Sequence, residues 1–186
     1  MQTVEEARVL ARTMVDIGHK LEKRTVAIIT DMNQPLGLAV GNGLEVKDAV
    51  DVLSGRVGEN DPLYGVCMLL AEKMLMLGGC AKDPDTAKAM LTQRIAVGSA
   101  LKRLRDMVQE MGGDPSYIDE PEKLVQVRER VEVPSPATGY IGDMLAERIG
   151  VAAQMLGAGR ATKQDVIDPA VGLVMHIRRG DRIERG

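Results

Sequence analysis

Apolar residues recur at helical spacing from the start of the chain: Ala7, Leu10, Ala11, Met14, Ile17 and Leu21 form one stripe. Thr3-Val-Glu-Glu6 ahead of them has the form of a capping box, in which the threonine hydroxyl takes the orphan amide three residues on. The rhythm then changes. Thr25–Thr30 is a short run rich in β-branched residues, the pattern of a strand covered on both faces. A helix followed by such a strand is half of an α/β unit. Residues 31–43 hold glycines at 37, 41 and 43, Pro35, Asn33 and Asn42, so a long loop is expected at the strand's carboxyl end, where open α/β sheets place ligands.

Further helices are marked by their ends. Leu44–Leu53 is one, closed by Ser54-Gly55. Asp61-Pro62 and Asp83-Pro84 each offer a capping carboxylate followed by proline in the first turn. The helix from Pro62 to Leu77 is apolar almost all round, which predicts a central position. Gly98 marks a break before an amphipathic helix over Ser99–Met111. The polar, proline-punctuated stretch 113–132 has the character of a crossover between two subdomains. Beyond it, 133–142 and 171–177 look like strands, Ile149–Leu156 like a small-residue helix, and the tail like one arm of a hairpin turning at Gly180-Asp181, with its second strand missing.

Composition narrows the function classes. Lys plus Arg is 24 against 27 for Asp plus Glu, a net charge of -3, so no basic excess points to nucleic acid. Aromatics are 2%, with no Phe or Trp, which removes base-stacking platforms as well. No apolar run is long enough to span a bilayer, and the start lacks signal-peptide character. Cys67 and Cys80 have neither zinc nor redox spacing and read as small buried hydrophobes in a reducing, cytoplasmic protein. With only His19 and His176, both read as structural, the inventory for hydrolytic chemistry is thin.

Three places could carry chemistry. The loop from Asp31 to the following helix lacks a Gly-Lys-Ser/Thr ending and a strict Gly-x-Gly-x-x-Gly, so a nucleotide cradle is disfavoured. Its carbonyls and the Asp48 carboxylate could instead face a hard or alkali cation, although Asp48 reads more simply as a helix-surface acid. Glu45 suits a helix start by charge alone. Gly157-Ala-Gly-Arg160, with Lys163 nearby, could meet phosphate but is more readily a helix C-cap.

From Thr30 to Ala49 the sequence resembles the pyrimidine-nucleoside phosphorylase and thymidine phosphorylase family. The segment opening with Met1-Gln-Thr-Val-Glu-Glu-Ala, and the blocks Gly139-Tyr140, Ile149-Gly-Val-Ala, Leu156-Gly-Ala-Gly-Arg160, Ile167-Asp-Pro-Ala-Val-Gly172 and Gly180-Asp-Arg-Ile183, resemble it in register. The resemblance implies an α/β fold: a partial mixed sheet flanked by helices, the distal half of the phosphorylase α/β domain, over residues 1–130. A small, incomplete α+β C-terminal domain would follow over 131–186. Such enzymes are homodimers that use phosphate to split a pyrimidine nucleoside into base and (deoxy)ribose 1-phosphate. They need no organic cofactor, no nucleic acid and no membrane.

The family's Lys-His-Ser turn, its glycine-rich phosphate loop and its base-reading residues have no counterpart here; all correspond to sequence before Met1. No catalytic or substrate-binding residue is therefore assigned, and the chain alone is expected to be an inactive fragment. The resemblance also implies a share of a potassium site, at the backbone oxygens of Leu36 and Ala39 and the carboxylate of Asp48. Close bacterial relatives have Glu at that last position, one methylene longer. With two further ligands belonging to the upstream sequence, little or no ion binding is expected from this chain. A second reading is a non-catalytic binding or interaction module: the tail faintly resembles biotinyl or lipoyl carriers, although no lysine sits at a hairpin tip.

Overall fold

The computed structural model of the chain describes residues 3–186. Met1 and Gln2, which open the family-like first segment, lie outside the described residues. The architecture is helical with two small sheets. Helix α1 spans Val4–Lys20, α2 Asn42–Leu53, α3 Pro62–Leu77, α4 Pro84–Ala96 and α5 Ser99–Glu110. The short α6, Ser116–Asp119, and a 3-10 turn over Pro121–Val125 follow, and α7 spans Ala146–Ala153.

The helix ends follow the local chemistry. Thr3 accepts the Glu6 amide, Asp61 the amides of Leu63 and Tyr64, and Asp83 that of Thr86. Proline stands at the first helical position after each aspartate. Between α4 and α5, Gly98 adopts φ +71, a left-handed turn that a side chain would resist.

This mixture of helices and small sheets is consistent with an α/β phosphorylase-like domain, although the expected partial mixed sheet is here two short ladders. Strand β1 (Ala39–Val40) pairs antiparallel with β3 (Leu173–Val174), and β2 (Gly139–Tyr140) with β4 (Arg182–Ile183). Each is a separate two-stranded ladder. Thr25–Thr30 forms no strand: it has no ladder partner among the described residues, and Val26 and Ile29 are exposed. A strand meant to be covered on both faces cannot form without neighbours. The tail, by contrast, is not a lone hairpin arm, because β4 finds β2 far back in the chain.

The core is small. Val50 and Ala87 are fully buried, with Val52, Tyr64, Ile118, Val125, Met144 and Ala153 nearly so. The supposed crossover contributes to it, since Pro121 and Val125 of the 3-10 turn are buried where that turn packs on α2. Helix α3 is not central: Tyr64 is its one buried residue, and Leu69, Leu70 and Met74 are exposed, because α4 covers only part of its apolar girth. Cys67 on α3 and Cys80 beyond its end are exposed, not buried. The accessible surface is 13475 Å², against about 8,700 Å² for a compact monomer of this mass.

Candidate functional site

The loop that precedes α2 is fastened from the far end of the chain. The amide of Met175 donates to the Leu38 carbonyl at 2.6 Å, and the amide of Arg179 to Gln34 Oε1 at 3.0 Å. Between them, Arg178 Nη1 donates to the Leu36 carbonyl at 3.1 Å. The pairing of β1 with β3 sets this register, with Ala39 opposite Val174 and Val40 opposite Leu173. The amide of Gly43 adds a bond to the Pro169 carbonyl at 2.7 Å.

Asp48, in the second turn of α2, folds its carboxylate back over this loop. Its Oδ2 accepts the amide of Ala39 at 3.3 Å. The loop backbone runs so close that a Cβ on Gly37 would stand 2.6 Å from the same oxygen, so a larger residue there would have to displace the Asp48 carboxylate. Burial pushes the Asp48 carboxyl above the ordinary carboxylate range; the Ala39 amide and Lys47 oppose this, and Asp51 and Asp61 add to it. Lys47 is itself turned to Asp51, 3.0 Å away, and to Glu122 at 3.5 Å. Its ammonium is therefore held away from the loop.

The start of α2 is no phosphate cradle. Glu45 Oε1 already accepts the Gly41 amide at 3.2 Å, and Asn42 Nδ2 donates to the Ala158 carbonyl at 2.6 Å. These close a groove of about 190 Å³ between α2 and α7. In the Gly157–Arg160 segment, the Gln154 side-chain amide donates to the Arg160 carbonyl, and Arg160 and Lys163 are exposed. His19 and His176 are exposed as well, on α1 and just after β3.

The chain is similar to known proteins along its length. Residues 1–101 match the family described as glycosyl transferase family, a/b domain, and residues 140–186 the pyrimidine nucleoside phosphorylase C-terminal domain. Through the a/b-domain match, which takes in more than half of its residues, the chain belongs to the glycosyl transferase family. It is 43% identical over 186 residues to the pyrimidine-nucleoside phosphorylase of Bacillus subtilis (strain 168) and 42% identical to that of Staphylococcus aureus (strain USA300). Each alignment takes in 100% of this chain and 42% of the relative, so the chain spans less than half the length of the relatives it matches.

Leu36, Ala39 and Asp48 lie along one loop and the helix that follows it. Two of the three donors are already engaged, however. The Leu36 carbonyl faces a guanidinium, and the nearer Asp48 oxygen faces an amide. Among the described residues no group of three or more His, Cys, Asp or Glu gathers as a metal cluster. This donor set, as arranged, does not fit a resident potassium ion. The residue at this loop that sequence reasoning missed is Arg178, whose only signal was an arginine pair ahead of the Gly180-Asp181 turn. No helix among the described residues is long and apolar enough to cross a membrane.

Proposed function

We propose that this chain is the distal part of a pyrimidine-nucleoside phosphorylase, inactive alone and competent when joined to the remainder of the enzyme. Residues 1–130 would then be the distal half of the α/β domain and 131–186 the C-terminal domain. The reaction is attack of phosphate on the anomeric carbon of a pyrimidine nucleoside, releasing the base and (deoxy)ribose 1-phosphate. Holding the phosphate in line and stabilising charge on the departing base belong to residues upstream. Leu36, Ala39 and Asp48 would be this chain's share of the loop to which the family's potassium ion is assigned. The complete enzyme would be a cytoplasmic homodimer.

The observation that carries this reading is the end-to-end match to enzymes more than twice the chain's length. The surplus of exposed surface supports it, since apolar faces of this extent on a lone domain normally meet another surface. The test is phosphorolysis of thymidine and uridine by the chain alone and by the chain mixed with the part of the Bacillus subtilis relative that it lacks. No turnover alone and turnover in the mixture are expected. Turnover alone would show that the reactant-gripping groups lie within these 186 residues. Inactivity in both, with the two parts bound to each other, would favour a non-catalytic interaction module.

A further inference from the structure

Arg178 is partly buried at the loop, and nothing in the proposed reaction employs its charge. Its side chain is 22% exposed, and its Nη2 is the buried side-chain nitrogen or oxygen that lacks a hydrogen-bond partner among the described residues. Nη1 donates to the Leu36 carbonyl at 3.1 Å, while Nη2 stands 3.7 Å from Asp61 Oδ2, an ion-pair rather than a hydrogen-bond distance. The guanidinium thus lies between a loop carbonyl and a carboxylate at the head of α3. Asp61 in turn is near enough to Asp48 for the two carboxylates to repel. A carbonyl and flanking carboxylates are the surroundings an alkali ion would seek, and here a side chain supplies the cation.

We propose that Arg178 is the resident cation of this loop: its guanidinium holds the Leu36 carbonyl that a potassium ion would need, and so excludes the ion from the Leu36, Ala39 and Asp48 donors. The inference rests on reading those three residues as the family's cation loop. Its physical basis is exclusion. A guanidinium cannot shed its proton to make way, and a second cation on the same partly buried oxygen meets unscreened repulsion. Removing the charge should open the carbonyl and, with water in place of the two upstream ligands, turn the loop into a site that potassium stabilises.

The experiment is thermal melting of the full chain in potassium chloride and in choline chloride at equal ionic strength, for the wild type, Arg178→Met, Arg178→Gln and Arg178→Lys. The wild type is expected to melt at the same temperature in both salts. Arg178→Met and Arg178→Gln should gain a potassium-specific rise of about 3 °C or more. Arg178→Lys, which keeps a cation on a similar stem, should lose that response again. A potassium-specific rise in the wild type would overturn the proposal, as would its absence from both neutral variants, or a rise in Arg178→Lys equal to theirs. Should the neutral variants fail to fold in choline, restoration of a cooperative melt by potassium supports the proposal and continued failure overturns it. The melt reads no turnover, so its outcome is independent of success or failure in phosphorolysis.

Discussion

Two regions of this molecule treat apolar sequence in opposite ways. Around the loop before α2, segments far apart in the chain close on each other: β3 pairs with β1, Arg178 reaches Leu36, and α2 buries Val50 and Val52. Along α1 and α3 the apolar stripes are as well formed but largely uncovered. Helix α1 buries no residue, with Met14 58% exposed, and Met74 on α3 is 71% exposed. The helices form in both places because caps and spacing are local. Only where a distant partner arrives does a stripe become core, which is why stability should reside in the loop region and association in the α1 and α3 faces.

The sharpest way to break that contrast is to make one substitution in both regions. Glycine to alanine inside a helix ordinarily stabilises by about 0.5–1 kcal/mol, because alanine loses less backbone freedom. At Gly65 in α3 a new Cβ would meet nothing within 4 Å, so Gly65→Ala should show that gain. At Gly43 in α2 it would stand 2.5 Å from the Leu124 carbonyl oxygen and 2.7 Å from that of Pro169. Backbone must move to admit it, and Gly43→Ala should destabilise by about 3 kcal/mol. Denaturant midpoints read both. Equal effects of one sign would dissolve the distinction between the regions.

A smaller effect sharpens the same point through side chains. Val50 is fully buried, and Val50→Ala removes two methyl groups and leaves a cavity, for a loss of about 2 kcal/mol. Met74→Ala should change stability by less than about 0.5 kcal/mol, since its side chain is mostly in water already. Light scattering should show the reverse order, with Met74→Ala reducing self-association and Val50→Ala leaving its folded fraction unchanged in this respect. A large loss of stability at Met74 would mean that the α3 face is covered within the chain after all.

What could be read in the sequence divides along the same line. Asp61-Pro62, Asp83-Pro84 and Gly98 mark helix ends by interactions spanning two or three residues, and the structure has its helices there. The return of Asp48 to its loop was open to the sequence as one of two readings, because Ala39 is only nine residues away. Pairing was not. Thr25–Thr30 has strand composition, yet a strand exists only beside another, and none lies there among the described residues. The even apolar girth of α3 signals a helix to be enclosed without saying by what. Arg178 meets Leu36 across 142 residues, a distance over which neither periodicity nor spacing carries information. The site's local half was visible, and the half that decides its cation was not.

The least effect is expected where the C-terminal segment holds itself by charge alone. Asp165 accepts the amides of Ala161 and Thr162, both at 2.8 Å, and the Thr162 hydroxyl at 2.7 Å. The Thr162 hydroxyl first, then the two amides, hold its carboxyl below the ordinary range. A depressed folded-state pKa contributes stability above the unfolded value, about 3.9, and loses it as pH falls through the folded value. Asp165→Asn keeps an acceptor oxygen for the two amides and removes the charge, with the Thr162 hydroxyl free to turn and accept from the new amide group. The variant should melt slightly below the wild type at pH 7, and the gap should close on acidification through and below the carboxylate range. A gap that stays constant from pH 7 to strong acid would mean that the turn is held by the shape of its hydrogen bonds, and that charge contributes nothing to this end of the chain.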